Sequence, residues 1–308
     1  MSAPDDFARF ARLVQRIESQ SQLHRAWPLH GGVSAQATAL EVTRPGGELQ
    51  RWVVRRHGPA DLADNPNIAN DEYKLMRALH TAGLPVPAPI HVEPGGDLFP
   101  TPALVVEFVD AKPDFAPADL NGYLTQLAAA LARIHLLDLT ELDLPVLPAR
   151  TRRFDAELQS PPVKLDEVFA VSRIRALLTA AWPLPQSNGT VLLHGDYWPG
   201  NVLWRDGQLA AVIDWEDAAL GDPLADLANS RLEVLWAFGA GAMQRYTRQY
   251  LALMPDLDTA LLSYWDLCVA LRPVARYTEW AEDVSAEARM REGLKVFVTQ
   301  ALKKAESP

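Results

Sequence analysis

Apolar side chains recur three and four residues apart in "DDFARFARLVQRIES", where Phe7, Phe10, Leu13, Val14 and Ile17 form one stripe. That spacing predicts an amphipathic helix near the start of the chain. The pattern then shortens: "LHGGVSAQATALEVT" and "ELQRWVVRRHG" are apolar runs on either side of "RPGG", so they read as a β-hairpin. Helical spacing returns in "NIANDEYKLMRAL", with Ile68, Tyr73, Leu75, Met76 and Leu79, and "TAGLPVP" stops it at Gly83 and Pro85. "APIHVEPGGDLF" and "ALVVEFVD" predict two further strands around a second Gly-Gly turn. The first third is therefore expected to be a small sheet with one inserted helix.

After Asp110 the pattern changes. "KPDFAP" reads as a linker and "ADLNGYLTQLAAALARIHLLDL" as a long helix rich in Leu and Ala. Short strands are expected at "TVLLH", "NVLW" and "LAAVID", and from Leu224 onward helix follows helix to about Lys304. The expected plan is α+β with two lobes: residues 1–110 as a small antiparallel-sheet lobe and 111–308 as a larger, mainly helical one. A ligand is expected in the cleft between them.

Composition narrows the functional classes. The 308 residues carry a net charge of −10, which argues against nucleic acid as the main partner, because phosphate backbones are held by clustered Lys and Arg. No apolar run reaches membrane-spanning length, and the start "MSAPDDFARF" is acidic, unlike a signal peptide. The single cysteine, Cys268, has apolar neighbours and reads as a buried, inert thiol. These features suggest a cytoplasmic protein. They leave its oligomeric state open.

Charge is not evenly spread. Between Val191 and Ser230 there are seven carboxylates and one cation, Arg205. Such a density repels itself unless a divalent metal or a cationic substrate neutralises it. In "HGDYWPGN", Asp196 and Asn201 stand five residues apart on a tight loop, and Asp214 closes the strand "AAVID". Asn201 and Asp214 delivered side by side would make an all-oxygen site suited to Mg²⁺, leaving Asp196 to act as a base or to orient a hydroxyl.

These two segments resemble the aminoglycoside phosphotransferase/choline kinase family, small-molecule relatives of the protein kinases with a two-lobe, protein-kinase-like fold. "HGDYWPGN" matches His-x-Asp-x-x-x-x-Asn, and "VIDWEDAALGDPLADLA" is similar to the family's metal-binding segment. The resemblance implies that Asp196 is the catalytic residue that accepts or orients the acceptor hydroxyl. It implies that Asn201 and Asp214 hold the Mg²⁺ that bridges the nucleotide phosphates. His194 is expected to support the loop, and Asp222 and Asp226 to cap a helix or brace the loop.

The first lobe is similar in the same order. "HGGVSAQATALEV" resembles the glycine-rich turn over nucleotide phosphates, with Gly31 and Gly32 for close backbone approach and Ser34 as a donor. The family carries a Lys or Arg on the third strand. Here strand alternation puts Val53 and Arg55 on one face and Arg56 on the other, so Arg55 is expected on the phosphates, with Val53 against the adenine. Its expected acid partner is Glu72, 17 residues on. "VVEFVDA" resembles the hinge strand, whose backbone after Glu107, at Phe108 and Val109, would meet the purine edge.

The implied activity is ATP-dependent transfer of the γ-phosphate to a hydroxyl of a small molecule, with GTP as an alternative donor. Across the family such acceptors include aminoglycosides, choline, sugars and amino acids, and nothing in the sequence selects one. In "LLSYWDLCVALRPVARYTEWAED", Tyr264, Trp265, Arg272, Arg276, Tyr277 and Trp280 could wall an acceptor pocket or belong to the core and surface. A nucleotide-binding pseudokinase acting as an interaction protein is the alternative, although pseudokinases normally lack Asp196 or Asp214 equivalents, and both are present here. A metal-dependent hydrolase is disfavoured by the absence of a His-x-x-x-His ligand set.

Overall fold

The computed structural model describes residues 3–29, 35–159, 167–274, 277–281 and 283–306. Its chain divides into two compact units. The first comprises Met1–Asp110, Leu142–Val146 and Ala211–Glu216, and the second the remainder.

The first unit opens with helix α1 (Ala3–Ile17), then strands β1 (Gln22–Leu29), β2 (Ala35–Thr43) and β3 (Leu49–His57). The short helix α2 (Pro59–Asp64), helix α3 (Ile68–Thr81) and strands β4 (Pro89–Glu93) and β5 (Ala103–Glu107) complete it. The strands form one antiparallel sheet in the order β1-β2-β3-β5-β4. The apolar stripe of α1, Phe10, Leu13 and Val14, is buried in one core with Leu40, Val42, Trp52, Val54, Phe99 and Val105. Alternation along β3 sends Trp52 and Val54 into that core. Val53, Arg55 and His57 therefore share the opposite face.

The sheet has one strand more than the hydrophobic pattern predicts. The run read from Leu29 as a single strand is divided: β1 ends at Leu29 and β2 begins at Ala35. β1, "QLHRAWPL", is an edge strand with few buried positions and a proline, and so lacks the apolar alternation of an interior strand. The residues expected to cover phosphates, Gly31, Gly32 and Ser34, lie outside the described residues.

The second unit begins with α4 (Leu120–His135), whose first turn is capped by Asp119 accepting from the amides of Asn121 and Gly122 at 3.0 Å. It continues with α5 (Thr151–Gln159), α6 (Val171–Ala181) and β6 (Val191–Leu193). β7 (Val202–Arg205) and β8 (Gln208–Val212) form a hairpin, and β9 (Ala219–Gly221) pairs antiparallel with β6. Then come α7 (Leu224–Phe238), α8 (Ala240–Leu253), α9 (Leu262–Val274), α10 (Tyr277–Trp280) and α11 (Val284–Ala305). α7 packs on both α8 and α9. A buried ion pair ties α7 to α9: Arg231 donates to both Asp266 oxygens at 3.1 Å. Cys268 is buried on α9, and burial pushes its thiol pKa well above the ordinary value, so it is inert as the sequence suggests. Helices α5 and α6 and strand β9 are not foreseen by the pattern. None of the described helices is long and apolar enough to cross a membrane.

Candidate active site

In the first unit, the free face of β3 meets α3 through charge. Arg55 donates to Glu72, to Asp214 and, at 3.3 Å, to Glu216. The second oxygen of Glu72 is met by His57 Nε2 at 2.9 Å. Burial alone would raise the Glu72 carboxyl pKa. The Arg55 charge, the His57 contact and the amide of Trp215 outweigh that and hold it below the usual carboxylate range. Arg55 responds in the opposite sense: burial opposes its charge, but Glu72, Asp214 and Glu216 together push its pKa further up.

The segment after β8 explains how two acids reach one guanidinium. Trp215 is buried and donates its indole N–H to the carbonyl of Val212 at 3.1 Å. The carboxylates on either side of it, Asp214 and Glu216, both face Arg55. Asp214 adopts φ +70°, in the left-handed region, which Asp tolerates better than most residues. Arg56 lies on the other face of the strand, donating to Gln36 at 2.8 Å with its guanidinium over the Phe99 ring.

At the end of β5, Phe108 donates its N–H to the carbonyl of Arg51 at 3.0 Å, and its ring packs against Trp27. That amide therefore belongs to the sheet and cannot also serve a purine. The strand pairing thus continues one residue past the end of β5. Among the described residues, the amide of Val109 is left without a hydrogen bond. Glu107 turns its carboxylate to the amide of Ala88 at 3.3 Å.

In the second unit, β6 delivers the chain into the turn His194–Asn201. Its conformation is set from below by Asp226, fully buried in the first turn of α7. One Asp226 oxygen accepts the amide of His194 at 2.6 Å, and the other accepts the amide of Gly195 at 3.0 Å. Burial works against the ionised Asp226, but His135, at 3.4 Å, with the charge of Arg150, overrides it and lowers the carboxyl pKa. Arg150 also donates to the carbonyl of Gly195 at 2.8 Å. Gly195 has φ +85°, and a Cβ there would stand 1.9 Å from the carbonyl oxygen of Asp217, so no other residue fits. Asp222 accepts the amide of Leu224 at 2.9 Å, capping α7 as its position before Pro223 implies.

Asp196 emerges from this braced turn with both oxygens engaged. Arg272 of α9 donates to Oδ1 at 3.2 Å, and the side-chain amide of Asn201 lies 3.3 Å from Oδ2. Asn201 also donates to the backbone carbonyl of Asp196 at 3.0 Å, which leaves its carbonyl oxygen for a ligand. The guanidinium of Arg272 also lies over the Trp280 ring, 5.4 Å from its centre. Glu233 of α7 shares this environment: burial first, then Asp196, push its carboxyl up to about 8, with Arg272 opposing.

Within the second unit Asn201 offers an amide oxygen, and within the first Asp214 offers a carboxylate, each an oxygen donor of the kind a hard cation takes. Mg²⁺ in nucleotide sites needs only one or two protein ligands besides phosphate and water. No group of three or more His, Cys, Asp or Glu residues positioned for a metal occurs among the described residues.

Sequence reasoning missed Glu216 as a third acid on Arg55, although its spacing of two from Asp214 in an extended segment was the available signal. It also missed Glu233, whose helix carries no local mark of function. Arg272 and Trp280 stand among the residues singled out in the late helical segment. Arg276 lies outside the described residues.

Comparisons with known proteins bear on the family and the fold. The family described as APH, phosphotransferase enzyme family, matches residues 26–261. Acyl-CoA dehydrogenase family member 11 of Rattus norvegicus is 26% identical over 211 residues, 61% of this chain and 26% of that protein. The chain thus spans about a quarter of the length of that curated relative. Among solved structures, the GDP complex of wild-type aminoglycoside 2'-phosphotransferase-IIIa superposes with a TM-score of 0.65 at 19% identity, covering 96% of this chain and 99% of that one. A thermostable mutant of aminoglycoside phosphotransferase APH(4)-Ia, in ternary complex with ADP and hygromycin B, gives 0.62 at 17%, covering 97% and 99%. The chain has their α+β, kinase-like fold.

Proposed function

The chain belongs to the phosphotransferase enzyme family, and from that premise we propose that it transfers the γ-phosphoryl group of ATP to a hydroxyl of a small molecule, with magnesium. The observation that carries this reading is the posture of Asp196. A carboxylate whose two oxygens are oriented by Arg272 and Asn201, on a turn tied to buried Asp226, is held ready to accept a hydrogen bond from an acceptor hydroxyl.

In this reading the acceptor oxygen attacks the γ-phosphorus, the bond to the β–γ bridging oxygen breaks, and ADP leaves. The acceptor proton passes to Asp196, and the products are a phosphomonoester and ADP. Asn201 and Asp214 would hold the magnesium, which when bound would neutralise charge on the phosphates. Arg55 contacts the α and β phosphates, released from one of its three acid partners as the nucleotide enters, while Glu72 keeps the guanidinium in place. Arg for the usual lysine preserves this role, since a guanidinium stays charged and grips phosphate bidentately. The amide of Val109 and the carbonyl of Glu107 meet the purine edge, with Val53 against the ring and the turn at Gly31, Gly32 and Ser34 over the phosphates. The neighbours' complexes with ADP and with GDP support a nucleotide donor, and the hygromycin B complex supports a small-molecule acceptor. Retention of both Asp196 and Asp214 supports catalysis over a pseudokinase role.

The test is incubation with MgATP or MgGTP and a panel of hydroxyl compounds, read by mass spectrometry for phosphorylated acceptor and separately for free phosphate. Transfer to an acceptor supports the reading. Release of phosphate without any phosphorylated acceptor would point to a hydrolase.

A further inference from the structure

The residues around Asp196 speak to the acceptor as well as to the reaction. Three side chains of the second unit converge there from different elements: Arg272 from α9, Trp280 from α10 and Glu233 from α7. The Arg272 side chain is 37% exposed, and Asp196 is the one carboxylate it bonds among the described residues. A guanidinium presents five N–H groups in a plane, so among the described residues most of its donors remain open for a second partner. The indole of Trp280 lies against it, with its ring centre 5.4 Å from the guanidinium carbon.

We propose that Arg272 is the acceptor-selecting residue, and that the acceptor is a small hydroxyl compound carrying an anionic oxygen group, a carboxylate or phosphate, close to the hydroxyl that is phosphorylated. This rests on the phosphotransfer reading above and names the substrate class of that same site. The geometry works in both directions. A guanidinium bonded to the catalytic carboxylate sets a positive charge within a few ångströms of the reacting hydroxyl, and an amine on the acceptor would meet it as a like charge. An anionic oxygen group instead completes a bridge, from acceptor to Arg272 to Asp196, that places the hydroxyl at the Asp196 carboxylate. Burial and the neighbouring Asp196 push the Glu233 carboxyl up, which disfavours a second full negative charge there. Trp280 supplies an apolar wall for the carbon skeleton.

The experiment uses matched hydroxyl compounds in three charge classes. Hydroxy acids and hydroxyalkyl phosphates form two anionic arms, the amides of the same acids a neutral class, and amino alcohols with an aminoglycoside a cationic class. Each is tested for binding by calorimetry in the presence of Mg²⁺ and a non-hydrolysable ATP analogue, and for phosphorylation by MgATP, with the parent protein, Arg272→Gln and Arg272→Lys. The expected result is that the tightest binders and best acceptors are anionic. Arg272→Gln should then raise their KM by roughly ten- to a hundredfold, the range expected when a charged hydrogen-bond donor is lost, without changing the KM for ATP. Arg272→Lys should restore part of the preference, and the stronger of the two anionic arms identifies carboxylate or phosphate as the group read. The proposal is overturned if neutral or cationic compounds bind best, if no anionic compound binds, or if an anionic preference survives Arg272→Gln. Arg272-dependent binding of anions without phosphorylation of any compound would uphold the proposal while refuting the phosphotransfer reading. Phosphorylation of amino alcohols in preference would do the reverse.

Discussion

Arg55 and Arg56 are neighbours of the same chemistry with different partners. Arg55 carries three acids, one of them nearly fully buried, so Arg55→Ala leaves Glu72 with only His57 and the Trp215 amide and should cost about 3 kcal/mol of stability. Arg56 bonds a neutral amide and covers Phe99, so Arg56→Ala should cost about 1 kcal/mol or less. Urea denaturation separates the two, and titration with MgATP should show weakened binding for Arg55→Ala only. Equal effects would mean that face alternation on β3 does not assign the phosphate contact. Glu233 gives a second prediction at this scale. Its carboxyl rises from 4.5 when unfolded to about 8 when folded, through burial and the charge of Asp196 on the turn, opposed by Arg272 on α9. A raised carboxyl favours folding fully below 4.5, and that contribution is lost as pH climbs to about 8. Glu233→Gln should flatten this loss, so its stability relative to the parent should increase with pH across the interval. A constant difference would show that Glu233 titrates as an ordinary exposed acid.

The turn that carries Asp196 depends on a residue, Asp226, that does not touch the reaction. α7 begins where Asp226 can offer one carboxylate oxygen to each of two successive amides. Asp226→Asn keeps the shape but replaces one acceptor with a donor facing an N–H, so stability should fall by about 1–3 kcal/mol. Phosphorylation should slow, while the KM for ATP changes little. Loss of stability with unchanged kcat would show that the turn holds its shape without the brace. Gly195→Ala is harsher, since the new methyl group would collide with the Asp217 carbonyl at φ +85°, and a folded variant should have lost transfer. Both acids of the brace and cap, Asp226 and Asp222, were legible as such from "GDPLADLA", because a proline just inside a helix marks its start. β1 was not legible, since an edge strand carries no buried alternation. α5 and α6 lie in a stretch whose pattern marks no boundaries.

For the molecule as a whole, the sequence was most informative where chemistry is packed into short segments. His194–Asn201 and Asp214–Asp226 carry the family's pattern in local spacing, so family and fold could be read from them. The bond between Arg272 and Asp196 joins residues 76 apart and leaves no such trace. Neither does the bond from the Phe108 amide to the Arg51 carbonyl, which depends on strand register. The excess of acids between Val191 and Ser230 is met within the fold in part by Arg55, Arg150 and Arg272, cations brought from distant segments. Saturating MgATP should accordingly stabilise the protein, by about 2.7 kcal/mol at a hundred times its dissociation constant. The central claim is that Asp196 handles the acceptor hydroxyl while Asp214 holds the metal. One measurement addresses it most directly: calorimetric titration with ATP, with and without Mg²⁺, on Asp196→Asn and Asp214→Asn, paired with phosphoryl transfer by each. Asp196→Asn should bind MgATP nearly as the parent does and transfer almost nothing, and Asp214→Asn should lose Mg²⁺-dependent binding. Loss of that binding in Asp196→Asn with its retention in Asp214→Asn, or transfer at the parent's rate by both, would contradict the account.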